Sequence, residues 1–254
     1  MNVLKDINPV TRVIGLMVLT TPLLLSVDVV SAAVALAFTV LAAPLCGVSW
    51  PRLLRRGWPI FLAAPLAAVP MALYGRPEGE THFQFLLIHV TDNSLSLAIA
   101  IFVRVLAIGL PVIVLSADVD PTDFGDGLAQ VLRLPERFVL GAVAAARLAS
   151  LFREDLTSMR RARRARGIAD QGRVRYLLTL AFGLLVLSLR RGSKLATAME
   201  ARGFGRVAEH GRTWARESRL HARDWAVMAV CLLVSASAIG IAVATGYFRF
   251  LGVA

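Results

Sequence analysis

The chain has 254 residues, 57% of them apolar, and a formal net charge of +11. Its mean hydropathy is +0.66 and its pI about 11.2. Soluble domains are roughly 45–50% apolar even with glycine counted, so this composition excludes a disordered tail and argues against a soluble enzyme. A membrane protein that holds its positive charge on one side fits both figures.

A helix of about 20 apolar residues crosses the hydrocarbon core, rising about 1.5 Å per residue through roughly 30 Å. Five windows approach or reach that length: residues 13–27, 29–50, 58–74, 95–117 and 225–245. The first and third are short, and the others are comfortable. Lys5 and Arg12 ahead of the first window, with Ala33-Val34-Ala35 as a small-x-small site, would suit a secretory leader. Apolar sequence continues to Trp50, past any such cleavage, so the first two windows are expected to form a tight hairpin turning at Asp28.

Charge asymmetry sets the expected orientation. Arg52, Arg55 and Arg56 separate windows two and three, whereas Glu78, Glu80, His82, His89 and Asp92 dominate the following loop. Between Arg153 and Arg223 there are 17 Lys or Arg against 6 Asp or Glu. The N-terminus is therefore expected in the cytoplasm, followed by four crossings, a long cytoplasmic segment and a last crossing that ends outside. The predicted fold is an all-α membrane protein with about five transmembrane helices plus long cytoplasmic or interfacial helices. Its expected organisation is residues 1–117 as N-terminal membrane helices, 118–223 as the cytoplasmic part and 224–254 as the final membrane helix.

The long segment needs structure of its own. Asp120-Pro121-Thr122-Asp123 is a helix start, with an acidic N-cap, Pro at the first helical position and an acid in the first turn. A calcium loop through Asp118, Asp120, Asp123 and Asp126 fails, because its sixth position is Asp123 rather than Gly and its twelfth is Ala129. Two longer helices are predicted over residues 136–166 and 175–202, each apolar at first and basic later. Their apolar halves are too short to span a bilayer and suit helices at the membrane interface.

Both long helices close alike, with Ala165-Arg166-Gly167 and Ala201-Arg202-Gly203. The ordinary explanation is a helix stop: Gly takes the left-handed residue past the end, and Arg faces the negative end of the helix dipole. The exact recurrence on two consecutive helices of the same build points further. Small neighbours leave each guanidinium open, and its rigid fork of donors suits carboxylates on another surface.

These residues resemble a family, the T components of energy-coupling factor (ECF) importers of vitamins and metal ions. Asn8-Pro9-Val10-Thr11-Arg12 resembles the family's Asp-Pro-x-x-Lys opening of the first membrane helix. Arg104 matches an Arg in the fourth membrane segment, residues 118–132 resemble the Pro-acidic-Leu helix after it, and Arg147 matches an Arg early in the first coupling helix. Residues 159–167 and Ala198-Met199-Glu200-Ala201-Arg202-Gly203-Phe204-Gly205 resemble the two coupling motifs, the second almost completely. The Pro that often follows the position of Arg147 is missing here, where the run is Leu148-Ala149-Ser150-Leu151-Phe152.

The resemblance implies a non-enzymatic coupling subunit without a cofactor, in a prokaryotic cell membrane. Its partners would be two ABC-type ATPase subunits, a membrane-embedded S component that captures substrate, and membrane lipids, with no nucleic acid. Ala165, Arg166, Gly167, Ala201, Arg202 and Gly203 would be the ATPase-docking residues. A continuous helix of about 28 residues, roughly 40 Å long, is a suitable lever for such a task.

The remaining residues are less informative. Arg104 is costly within a membrane window and is therefore a functional candidate, although pairing with Asp28, Asp118 or Asp120 would give it a structural role. His82, His89, His210 and His221 are expected in loops without metal-ligand spacing, and Cys46 and Cys231 as small core residues. Arg160–Arg166 would also suit anionic headgroups. No phosphate-cradling Gly-x-x-x-x-Gly-Lys loop occurs, so energy from ATP, if used, must come from another chain. The alternative is a self-contained secondary transporter, which would require inverted repeats and polar groups in broken helices; no repeat is visible.

Overall fold

The computed structural model describes residues 3–4, 6–26, 28–75, 81–85, 88–167, 172–204 and 214–246. Eight helices are described: α1 (Pro9–Leu25), α2 (Val29–Ala42), α3 (Trp50–Tyr74), α4 (Asp92–Leu115), α5 (Pro121–Gln130), α6 (Glu136–Ala165), α7 (Arg173–Ala201) and α8 (Ala222–Ala244). Two strands, β1 (Thr81–Phe85) and β2 (Ile88–Thr91), form an antiparallel ribbon between α3 and α4. The fold is thus the expected all-α membrane architecture with one small ribbon added. His82 and His89, expected in a loop, lie on these strands, and His210 falls outside the described residues. The chain divides into two compact units, one of Met1–Asp120 with Arg219–Ala254, the other of Pro121–Ser218.

Local chemistry fixes the helix ends of the first unit. The Asn8 side chain accepts the Val10 N–H at 3.0 Å, and Pro9 opens α1. Asp28 starts α2 by accepting both the N–H and the hydroxyl of Ser31, at 2.6 and 2.8 Å, which makes the expected turn. Thr91 and Ser94 exchange capping bonds at the start of α4.

Two window lengths need correction. The second window, expected to span comfortably, yields a helix of only 14 residues, since Pro44 and Gly47 (φ 79°) break the apolar run into a turn. The third, expected to be short, belongs to a 25-residue helix. Pro51 at its first turn starts α3 early and draws Arg52, Arg55 and Arg56 into helix. Among the described residues three helices, α3, α4 and α8, are long and apolar enough to cross a membrane, and α1 and α2 are shorter apolar helices.

In this unit α4 packs against α1, α2 and α3, while α8 lies on α1 and α2. Small residues let the backbones approach, as expected where lipid removes the hydrophobic drive between helices. Ala32, Ala35 and Ala107 are fully buried around Leu23. A Cβ on Gly109 would stand 2.7 Å from Ile60 of α3. Leu62, Leu66, Leu232 and Leu233 point outward, a pattern suited to lipid rather than water.

Candidate functional site

The second unit holds α5, α6 and α7. As residue numbers rise along α6, those facing them on α7 fall. Asp155 pairs with Arg191 at 2.7 Å, Met159 covers Gly183, and Arg163 bonds the Thr179 hydroxyl at 2.6 Å. The Arg163 guanidinium also lies 5.6 Å from the centre of the Tyr176 ring. The two long helices are therefore antiparallel, and their C-terminal ends lie at opposite ends of the pair. From Tyr176, level with the end of α6, to Arg202 the chain rises through roughly 26 residues, or about 40 Å.

The two ends have the same geometry. Arg166 (φ −86°, ψ 2°) and Arg202 (φ −85°, ψ 9°) each follow the last helical residue. Gly167 (φ 67°) donates to the Arg164 carbonyl at 3.1 Å, and Gly203 (φ 78°) donates to that of Glu200 at 2.9 Å. Phe204 then donates to the Met199 carbonyl at 2.9 Å, which completes a Schellman closure of α7. The glycines are thus accounted for by the left-handed turn. The arginines are not, because any residue adopts their φ and ψ. Ala165, Arg166, Ala201 and Arg202 are exposed. Among the described residues neither tip guanidinium is engaged, unlike those of Arg163, Arg191 and Arg216.

The helix pair is thin. In α6 and α7 the buried apolar residues are Val139 and Leu180, while Val174, Leu177, Leu178, Phe182, Leu185, Val186 and Leu189 of α7 are exposed. This apolar stripe at helical spacing, followed by Arg190 and Lys194, matches the apolar-then-basic reading of the sequence. With no Pro after Arg147 to bend it, α6 runs unbroken for 30 residues.

Arg104 is half-buried in α4, and Asp28 exerts an electrostatic attraction on it without an ion pair among the described residues. Asp118, a sequence candidate for that role, instead faces Arg56 at 3.9 Å. The Nε and Nη2 of Arg104 are buried without a hydrogen-bond partner among the described residues.

Three polar clamps were not anticipated. Arg12 donates to the carbonyls of Leu4 and Ala117, and Asp224 accepts the N–H groups of Asn8 and His221. In the second unit, Gln130 holds the backbone of Arg216 and Ser218, at 2.9 Å in each case. A polar residue inside an apolar stretch, as with Arg12, was the available signal. Its partner Ala117 lies 105 positions away, out of reach of any local pattern.

Apolar spans joined to an arginine-ended helix pair define a helical integral membrane protein. The family described as CbiQ, cobalt transport protein, matches residues 1–213 of the chain, and the chain belongs to that family. Curated relatives carry the name energy-coupling factor transporter transmembrane protein EcfT. That of Brevibacillus brevis is 26% identical over 240 residues, 89% of each chain, and that of Streptococcus equi subsp. equi 25% identical over 216 residues, 80% of each. A third, from Exiguobacterium sibiricum, is 28% identical over 159 residues, 58% of this chain and 60% of the relative. The resemblance to ECF T components drawn from the sequence is borne out by these matches.

Proposed function

We propose that this chain transmits the motion of two ABC-type ATPase subunits to a membrane-embedded S component of a vitamin or metal-ion importer. Arg166 and Arg202 seat in the ATPases, and the adjoining Ala and Gly residues allow close approach. The residues 118–223 serve as the coupling region, with the N-terminus and both tips in the cytoplasm. ATP is hydrolysed by the partner subunits, and the S component selects the substrate.

One observation carries this reading: two exposed Ala-Arg-Gly ends of matching geometry stand at opposite ends of one antiparallel pair. A separation of about 40 Å is too great for both arginines to enter one small site, but it suits one seat on each of two subunits. The uncovered apolar stripe of α7 supports a partner in the membrane, since so thin a layer has little core of its own.

The test replaces Arg166 and Arg202, singly and together, with Glu in the co-expressed complex. Each single variant is expected to lose at least tenfold in ATPase affinity, because losing one partner of a desolvated charge pair costs about 2–5 kcal/mol. The double variant is expected to co-purify with no ATPase while retaining its own yield, both side chains being exposed. Wild-type recovery of ATPase with the double variant refutes the proposal.

A further inference from the structure

The two tips share their backbone geometry but differ in their surroundings. At the α6 end the pair is closed by Met159 against Gly183 and by Arg163 against Tyr176 and Thr179. At the α7 end, α5, the first half of α6 and the last turns of α7 leave a groove of about 530 Å³. Leu148, Leu151 and Leu195 make its walls apolar, while Arg147 and Arg202 both line it. No Asp or Glu is among the described lining residues. Among the described residues Arg147 makes only a long contact, 3.4 Å, to the Thr122 hydroxyl, and it remains exposed.

We infer that this groove is a second docking element, specific to the α7 tip, and that it receives an acid-bearing apolar segment of the ATPase subunit engaged by Arg202. The inference rests on the docking reading above. Charge complementarity selects the occupant: two guanidiniums flanking an apolar trough favour a carboxylate beside a large aliphatic or aromatic side chain. Continuity selects the source. Arg202 is both the tip residue and part of the lining, so the surface that accepts the tip also covers the trough. The α7 seat therefore combines a charge pair with apolar burial, whereas the α6 seat relies on its arginine. Fully desolvated charge and a filled pocket together are what make an interface residue dominant in binding.

The experiment uses the complex of this chain with its ATPases and S component. Arg147→Glu removes the second cation, and Ala144→Trp fills the groove from the α6 wall. Arg153→Glu, exposed on the same helix but outside both the lining and the coupling motif, serves as the comparison. Each groove variant is expected to weaken ATPase retention at least tenfold while S-component retention is unchanged, and Arg153→Glu is expected to change ATPase retention less than twofold. If Arg202→Glu releases ATPase but both groove variants retain it, the groove inference is overturned and the tip reading survives. If Arg202→Glu has no effect, the tip reading itself fails and this inference falls with it. If the Arg147→Glu defect occurs only in nanodiscs containing phosphatidylglycerol, the groove holds a lipid headgroup, which also overturns the proposal.

Discussion

Asp224 offers a strict test of how the first unit is held together. It is 1% exposed, in the first turn of α8, and its two oxygens accept the Asn8 N–H at 2.8 Å and the His221 N–H at 2.7 Å. Asn8 in turn caps α1, so one carboxylate joins the starts of two helices more than 200 positions apart. Asp224→Ala leaves both N–H groups without their acceptor. Hydrogen bonds to a charged group contribute about 1.5–3 kcal/mol each, and an acid in the first turn of a helix adds roughly 0.3–1 kcal/mol. Water can reach the part-buried His221 N–H, which places the expected loss near the low end, about 3–4 kcal/mol. Asp224→Asn keeps one acceptor and is expected to lose about half as much. The comparison is Asp6→Ala, which breaks a 3.0 Å pair with Arg223 whose side chains are 69% and 72% exposed, a change worth under about 1 kcal/mol. Equilibrium unfolding of the full chain in mixed micelles with increasing SDS measures all three. If Asp224→Ala falls within about 1 kcal/mol of Asp6→Ala, the clamp argument is wrong.

The same assay separates two glycines. Gly109→Ala puts a methyl 2.7 Å from Ile60 Cγ2 and 2.9 Å from its Cδ1, so α3 and α4 must yield, at a cost of about 1–3 kcal/mol. At Gly183 the nearest atom is the flexible Met159 Cε at 2.5 Å, so Ala there is expected to be neutral or stabilising by up to about 1 kcal/mol through helix propensity. Equal losses at the two sites would contradict the packing described. A pH dependence follows from Asp126 of α5, whose carboxyl is pushed above its usual value by burial and by Asp123, with Arg216 opposing. A raised folded-state pKa means that ionisation destabilises the fold: the penalty is present above that pKa and is relieved as pH falls through it towards the unfolded value. Asp126→Asn should therefore stabilise the chain at neutral pH and lose that advantage near pH 3, as read from unfolding curves at both pH values.

The helix ends of the second unit were legible in the sequence almost to the residue. Asp120-Pro121, Pro135-Glu136, Gly167 and Gly203 act within a single turn, so the backbone obeys them with little help from tertiary contacts. The membrane segments were harder to delimit. An apolar run reads the same whether it is helix or turn, and within residues 29–50 the break at Pro44 and Gly47 was hidden by its greasy neighbours. The mirror case is α3, whose start recruits three arginines that hydropathy alone assigns to a loop. The ribbon of β1 and β2 gave no signal strong enough to separate it from a connecting loop.

The candidate site shows the same division. Which arginines end the helices, and why glycine follows each, was set by the sequence, because capping is a contest between adjacent residues and solvent. Family membership was readable for the same reason, through short motifs kept intact. Only the tertiary structure decided that α6 and α7 run antiparallel, that their tips stand about 40 Å apart, and that Arg147 shares a groove with Arg202. It likewise decided that Asp224 and Arg12 tie down distant backbone. Those facts depend on which side chains meet after the chain has folded, a choice made by packing among many apolar faces that look alike in one dimension.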